Sequence, residues 1–351
     1  MVMATQAANS KDGFFQIWLA GSVLAVTALS IVALGAVAYG VGAGVNRELR
    51  FFQRGERPTA DEAIAVCPVE YALGTSDKND VIFLGDSTCH TGADPRVFER
   101  MTGLVAYNLG SLRGVGASGF VITLKAYLLH HAKPRAVVLC VSPTCFEDEA
   151  ARIGGPLPKA FAANYGPEVA EVVPPLERIS YFCKRGVWSI WQPAFVDRLQ
   201  GQDVRDVPLK GIKEEETYHT LQRKTLDGRG FFGLPGSHGP PKGIASGGDV
   251  VIREEWREGV ERIAQICEEA GMTLVVVFAP VSADVGRARN FVPLEILAGE
   301  LESTFPHTAV VRPIVRTYDA PLMWDGLHLN SAGVEKFQAS IAKNVQAALK
   351  L

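Results

Sequence analysis

The chain has 351 residues, 47% of them hydrophobic, and a formal net charge of −3 at pH 7. A chain of this size can bury one large core, and the small net charge without a run of basic residues argues against a nucleic-acid partner. The six cysteines include no Cys-x-x-Cys pair and no zinc-finger spacing with histidine, so no metal site is predicted.

The amino-terminal region contains a long apolar run. Residues 1–12 form a short tail, and residues 13–46 carry no charged side chain. A bilayer core needs about 20 apolar residues of helix, so residues 13–46 predict a single transmembrane anchor in a lipid bilayer. A cleaved signal peptide is the competing interpretation, because Ala36-Val37-Ala38 has the form of a cleavage site. The run is longer than the ~7–15 apolar residues of such signals, which favours the anchor.

A predicted linker, residues 47–78, leads to the domain that we expect over residues 79–351. The domain opens with an apolar strand, Val81 to Leu84, that runs directly into Gly85-Asp86-Ser87. Open α/β sheets place their ligands at the carboxyl ends of the strands. Ser87 is therefore the first candidate nucleophile.

A second strand is predicted over Leu104 to Asn108, followed by Gly110 and by a helix from about Ser118. The turn between them contains a literal G-x-G-x-x-G, Gly114 to Gly119, which could indicate a dinucleotide site. That fingerprint needs its first glycine directly after the strand and an acid at the end of the next strand. Neither condition is met, and no cofactor is predicted.

Three further strands complete the expected sheet. The third, Ala136 to Val141, ends in Ser142-Pro143-Thr144, and two more are predicted over Thr273 to Ala279 and Ala309 to Val311. Residues 150–250 are rich in proline and charge and are predicted to form an insertion that caps the crevice. The pattern predicts an α/β three-layer sandwich with a mostly parallel five-stranded sheet, preceded by one transmembrane helix.

A base for Ser87 is offered near the carboxyl end, where Asp325 and His328 precede a helix that starts at Ser331. A serine needs a histidine to take its proton and an acid to orient that histidine, so Ser87, Asp325 and His328 are the predicted catalytic residues. His90 is a rival base close to Ser87. A metal site formed by Asp86, His90, Asp325 and His328 is a further alternative, which would leave the serine without a role.

The Gly85-Asp86-Ser87 and Asp325-x-x-His328 blocks resemble those of the SGNH (GDSL-type) hydrolase superfamily. The resemblance covers the core elements and not the middle third of the chain. It implies an SGNH/flavodoxin-like sheet and an oxyanion hole formed by the backbone N–H groups of Ser87 and Gly110. The family's third block normally provides an asparagine, whereas this chain has Ser142 and Thr144. Either the hydroxyl of Ser142 or Thr144 replaces it, or the oxyanion hole rests on the backbone N–H groups of Ser87 and Gly110 alone.

Together with the anchor, these blocks resemble the membrane-tethered proteins that take part in alginate O-acetylation and teichoic acid D-alanylation. The resemblance implies an esterase or O-acyltransferase acting on an exported polysaccharide or glycan. Its partners would be an acylated donor, a glycan acceptor and an integral membrane acyl-loading protein. A catalytically inactive, membrane-tethered glycan-binding module with the same fold is the alternative.

The resemblance and the distribution of basic residues predict opposite membrane orientations. The resemblance implies a single-pass membrane protein with an extracytoplasmic catalytic domain. Four arginines follow the apolar run and only Lys11 precedes it, so the positive-inside rule would instead leave the domain in the cytoplasm. The arginines are Arg47, Arg50, Arg54 and Arg57.

Overall fold

The structure, a computed structural model, describes residues 22–23, 26–27, 29–30, 60–74, 77–147, 217–234 and 247–351. Its centre is a five-stranded sheet with the order β2-β1-β3-β4-β5. All neighbouring strands in it are parallel. The strands are β1 (Val81–Gly85), β2 (Ala106–Gly110), β3 (Ala136–Val141), β4 (Thr273–Phe278) and β5 (Thr308–Val310). The predicted α/β class with five parallel strands is confirmed.

Helices cover both faces of this sheet. In chain order they are α1 (Ala60–Gly74), α2 (Ser87–Gly92), α3 (Pro95–Thr102), α4 (Gly116–His130), α5 (Tyr218–Asp227), α6 (Glu254–Ala270), α7 (Ala283–Ala288), α8 (Val292–Thr304) and α9 (Ser331–Ala348). Helices α1, α4, α6 and α8 bury their apolar side chains against one face. Helices α2, α3 and α9 pack on the other. The result is three layers, helices, sheet and helices.

The apolar strands are continuous because both faces are buried. Successive residues of a strand point to opposite sides of the sheet. In β1, Ile82 and Leu84 belong to the core under α1 and α4, whereas Val81 and Phe83 belong to the core under α3 and α9. The strands of a parallel sheet covered on both sides therefore show no alternation of apolar and polar residues.

Strand β2 begins and ends two residues later than predicted, at Ala106 and Gly110. Its register with β1 explains the shift, since Val81 lies opposite Ala106 and Gly85 lies opposite Gly110. The two strands therefore end together, each on a glycine that the apolar pattern alone did not assign to a strand.

Residues 60–74 of the predicted linker, where the sequence favours the start of a short helix at Thr59, form α1. Its residues Ala63, Val66, Val69 and Ala72 are buried in the core. The charged residues around this segment suggested an exposed connection, but the turns of α1 between them are almost entirely apolar. The folded domain therefore includes residues that the sequence analysis placed outside it.

The described part of the predicted insertion packs beside the sheet. Leu221 of α5 is buried in the core, and Gln222 Nε2 donates to Glu70 Oε2 of α1 at 2.8 Å. After α5, Arg229 accepts a hydrogen bond at its carbonyl from the N–H of Asn108 in the edge strand β2. Residues 217–234 thus flank α1 and β2, and most of the predicted insertion lies outside the described residues.

Most of the predicted anchor, residues 13–46, also lies outside the described residues. The positions described there, 22–23, 26–27 and 29–30, are helical. Val23, Val26 and Leu29 among them are exposed. Within the described ranges, no helix has both the length and the apolar character needed to cross a membrane.

Candidate active site

The strand order places a crevice beside β1. Strand β2 lies on one side of β1, and the next strand in the chain, β3, lies on the other side. The order in which strands are added to the sheet therefore reverses at β1. In doubly wound sheets with this order, ligands bind beyond the carboxyl ends of the strands at that reversal. Ser87 follows β1 by two residues and begins α2.

Gly85 is required by the close approach of two strands. It has a φ of 156°, and a Cβ atom at this position would lie 1.7 Å from the carbonyl oxygen of Cys140 in β3. No side chain fits there without moving the backbone of β3. The glycine therefore lets β1 and β3 stay paired up to the point where Ser87 emerges.

Asp86 fixes the turn that presents Ser87. Its Oδ1 accepts hydrogen bonds from Thr88 N at 2.9 Å and from Thr88 Oγ1 at 2.6 Å, which caps α2. Its Oδ2 accepts from Ser142 N at 3.0 Å and ties the ends of β1 and β3 together. Asp86 is a structural residue of the turn, and Ser87 is the first residue of the helix that it caps.

Ser87, His328 and Asp325 form a continuous hydrogen-bonded chain. Ser87 Oγ lies 2.9 Å from His328 Nε2, and His328 Nδ1 lies 2.8 Å from Asp325 Oδ2. With Nδ1–H donated to the carboxylate, Nε2 accepts the serine O–H. The side chains of His328 and Asp325 are 22% and 13% exposed, so solvent reaches this arrangement. The structure brings the three predicted catalytic residues together.

Asp325 is held in its ionised form. Burial acts to raise its pKa, but hydrogen bonding and charge attraction from His328, with the backbone N–H groups of His328 and Leu327, outweigh burial and lower it. Those two N–H groups each lie 2.7 Å from Asp325 Oδ1. The carboxylate therefore remains charged where it faces the imidazole.

The loop that carries His328 is braced at both ends. Trp324 N donates to His328 O at 2.8 Å, which closes the loop. Asn330 caps α9 by accepting from Gly333 N at 3.1 Å, and its Nδ2 donates to Pro321 O at 2.8 Å. A one-residue shift of this loop would break several of these bonds, so the imidazole is fixed by backbone contacts on both sides.

Gly110 does not offer the backbone N–H that the oxyanion prediction assigned to it. Gly110 N donates to Asn108 Oδ1 at 2.6 Å. A Cβ at residue 110 would lie 2.5 Å from His90 N. The glycine is therefore needed for the packing of α2 on β2, and its N–H is already used inside the protein. The sequence could not reveal a bond made by the side chain two residues earlier.

Ser142 is likewise engaged. Its N–H donates to Asp86, and its Oγ lies 3.0 Å from Thr144 Oγ1. Both residues are buried. The Ser142 hydroxyl therefore has an internal partner, and its role as an oxyanion donor stays a prediction. The third expected donor, the N–H of Ser87, belongs to the first residue of a helix and so has no intrahelical acceptor.

His90, the rival base, points into the interior. Its ring stacks on Phe232 with centroids 6.1 Å apart, and it is almost completely buried. Burial lowers the pKa of His90 to about 4, although the backbone carbonyls of Gly110 and Gly230 act in the opposite direction. Ser87 bonds to His328 instead. Within the described ranges, no group of three or more histidine, cysteine, aspartate or glutamate side chains is placed to hold a metal ion.

Asn108 is the residue that the sequence analysis did not single out. Its buried amide donates to the carbonyls of Cys89 and Ala93, at 2.8 Å and 2.7 Å, and so holds the end of α2. The available signal was a polar side chain at the end of an apolar strand, where burial demands hydrogen-bond partners.

The fold and site define an α/β protein with a serine, histidine and aspartate chain at the reversal point of a parallel sheet. No model of a protein family matches the sequence, and no curated protein matches it. One solved structure similar to this chain is that of a protein from Streptococcus pneumonia, provisionally described as a platelet activating factor. The two share 13% identity, with a TM-score of 0.39, over 82% of this chain and 92% of that chain.

Proposed function

We propose that this protein is a serine acyl-transfer enzyme of the SGNH type that works through an acyl-Ser87 intermediate. The observation that carries the proposal is the hydrogen-bonded chain from Ser87 Oγ to His328 and Asp325, with distances of 2.9 Å and 2.8 Å. The strand order β2-β1-β3-β4-β5 supports the SGNH/flavodoxin-like assignment.

The reaction begins with proton transfer from Ser87 to His328. As Oγ attacks the acyl carbonyl, His328 Nε2 takes the proton and Asp325 stabilises the resulting imidazolium. The tetrahedral intermediate collapses when the leaving group departs with that proton. In the second half, His328 takes a proton from the acceptor as the acceptor attacks the acyl-serine, and it gives that proton to Ser87 Oγ when the acyl–oxygen bond breaks. Water as acceptor makes the protein an esterase, and a sugar hydroxyl makes it an O-acyltransferase.

This site has few free hydrogen-bond donors to stabilise the oxyanion that fast ester hydrolysis would form. Of the expected donors, the Gly110 N–H bonds to Asn108 Oδ1 and the Ser142 hydroxyl lies 3.0 Å from Thr144 Oγ1. Losing one such donor typically costs about 10²–10³ in rate. The Ser87 N–H at the start of α2 remains as the proposed donor. This supports a slow transfer to a bound acceptor over rapid hydrolysis of soluble esters.

The proposed setting is a membrane surface, with the lipid bilayer bound through residues 13–46 and the catalytic domain outside the cytoplasm. Its support is the uncharged apolar run, with Val23, Val26 and Leu29 exposed at helical positions. The proposed substrates are an acylated donor and an exported glycan, with an integral membrane acyl-loading protein as partner. These assignments rest on the resemblance described above.

A fluorophosphonate probe tests the nucleophile in the full-length chain. The wild type should be labelled on Ser87, located by peptide mapping, and should release acetate from a chromogenic ester. Ser87→Ala should do neither. Ser303→Ala is the matched control, since Ser303 is an exposed serine on α8 outside the site. A folded wild type that is not labelled would contradict the proposal.

A glycan-binding module without turnover is the second candidate, favoured by the internal contacts of the Gly110 N–H and the Ser142 hydroxyl. It predicts saturable binding of an acetylated polysaccharide without labelling by the probe. Binding that is equal in wild type and Ser87→Ala, with no covalent adduct in either, would support it over the enzyme.

A further inference from the structure

Asn108 joins three elements behind the proposed nucleophile. Its side-chain amide is completely buried. Its two N–H groups donate to Cys89 O and Ala93 O, and its Oδ1 accepts from Gly110 N at 2.6 Å and from Cys89 Sγ at 3.5 Å. Both donors and the acceptor of the amide are therefore used, and the bonds connect β2 to the carboxyl end of α2.

Helix α2 needs such external support because it has only six residues. A helix of this length is not stable alone, and its last carbonyls have no intrahelical partners. Asp86 caps its amino end, and Asn108 binds carbonyls at its carboxyl end. The two caps together determine where the first residue of α2, Ser87, lies.

The backbone of Asn108 links this helix to the segment after α5. Asn108 N donates to Arg229 O at 2.9 Å, and Phe232 N donates to His90 O at 3.1 Å. Gly230 approaches so closely that a Cβ there would lie 1.8 Å from Asn108 O. Residues 229–232 therefore brace both Asn108 and α2 from the open edge of the sheet.

Placement of α2 matters because the partner of Ser87 comes from another part of the fold. The 2.9 Å contact with His328 Nε2 joins residues 241 positions apart in the chain. An error of about 1 Å in such a contact can cost about 10²-fold in rate. We infer that Asn108 is a positioning residue that sets the Ser87 hydroxyl against His328, an inference that rests on the proposed acyl-transfer function.

A second buried asparagine offers a matched control. Asn79 precedes β1 at the opposite end of the sheet, and its Nδ2 donates to the hydroxyls of Tyr71 and Tyr127. Asn108→Leu and Asn79→Leu each replace a buried asparagine by leucine, so the two variants undergo the same change in side-chain volume. Only the first removes the bonds that hold α2.

The experiment compares full-length wild type, Asn108→Leu and Asn79→Leu at a temperature where all are folded by circular dichroism. Asn108→Leu should slow fluorophosphonate labelling of Ser87 and lower kcat for ester cleavage about 10- to 100-fold, with KM changed less than about twofold. Asn79→Leu should react as fast as the wild type. Asn108→Ser, which retains one O–H donor, should show a smaller loss and serves if the leucine variant does not fold.

Hydrogen exchange separates this inference from the proposed function. The amide of Ala93, which bonds to Cys89 O, should exchange at least about 10-fold faster in Asn108→Leu than in Asn79→Leu. A wild type that is never labelled would contradict the function while leaving this structural readout intact. Equal labelling and equal exchange in the two leucine variants would overturn the positioning role.

Discussion

The two ends of the sheet use polar side chains in different ways. At the amino end, Asn79 donates to the hydroxyls of Tyr71 and Tyr127, and His131 contacts the carbonyls of Tyr71 and Asp77. These contacts join α1 and α4 to the chain that enters β1. The cluster closes one end of the domain and bonds mainly to itself.

At the carboxyl end, Asp86 and Asn108 bond to the backbone of neighbouring elements, while Ser87 and His328 face a space that solvent reaches. The buried polar groups there hold the part-exposed ones in place. A polar cluster whose groups bond to one another stabilises the fold, whereas a cluster that leaves a hydroxyl and an imidazole accessible to solvent can perform chemistry.

Of the changes at the carboxyl end of the sheet, removing the His328 imidazole should have the largest effect on activity. His328→Ala should lower the rate of ester cleavage by about 10⁶-fold, as loss of the base does in comparable serine enzymes. His307→Ala is the control, because His307 is 57% exposed and pairs only with Glu268 among the described contacts. Steady-state kinetics would measure both, and a His328→Ala variant with more than a hundredth of wild-type activity would disprove the assigned base.

Changing Asp325 to Asn should have the next largest effect. The neutral amide can donate to Nδ1 as well as accept from it, so it neither fixes the Nδ1–H tautomer nor stabilises the imidazolium, and kcat should fall about 10⁴-fold while the fold is kept. The lowered pKa of Asp325 also predicts a stability difference. Above pH ~4 the ionised carboxylate stabilises the folded state, and this contribution should disappear as the pH falls through the lowered pKa. Urea unfolding of wild type and Asp325→Asn at several pH values would measure it. A difference that grows toward low pH would show the wrong sign.

Gly85 tests the framework at the open end. Gly85→Ala should destabilise the protein by more than about 4 kcal/mol, because a Cβ there would lie 1.7 Å from Cys140 O. Gly299→Ala is the opposite case, since residue 299 lies within α8 and a Cβ there meets no atom within 4 Å. That variant should gain about 0.5–1 kcal/mol. Chemical denaturation of both variants provides the measurement, and equal effects would contradict the packing argument.

The last prediction concerns the pH dependence that His90 gives to stability. Its folded pKa is about 4, whereas an unfolded histidine titrates near about 6.5. As the pH falls from about 6.5 to about 4, His90 binds a proton in the unfolded chain but stays neutral in the folded protein. The free energy of unfolding should therefore fall by about 3 kcal/mol. His90→Leu should show a correspondingly weaker pH dependence across this range. Denaturant midpoints from pH 7 to pH 4 would test it, and parallel curves for the two proteins would rule it out.

Local patterns in the sequence predicted much of the framework. Strand β3 and helix α6 lie where the apolar spacing placed them, and α6 ends at Gly271, which has a φ of 63°. The Gly85-Asp86-Ser87 turn and the Asp325 to His328 loop were also identified from short segments. These features depend on neighbouring residues, so their physical causes are present in the local sequence.

Tertiary structure decided what each polar group can still do. Whether the Gly110 N–H is available depends on a side-chain bond across a turn, and the fate of Ser142 depends on Asp86 from another strand. The burial of helix α1 was missed because α4 and α5 create it, and the role of Asn108 was missed because its partners lie in and next to α2. Sequence by itself determined the five strands of the sheet and the turns that carry Ser87 and His328, because local periodicity and turn residues encode them. Only the folded chain determined which donors remain open and which side chains meet, because hydrogen bonds between distant segments have no local pattern.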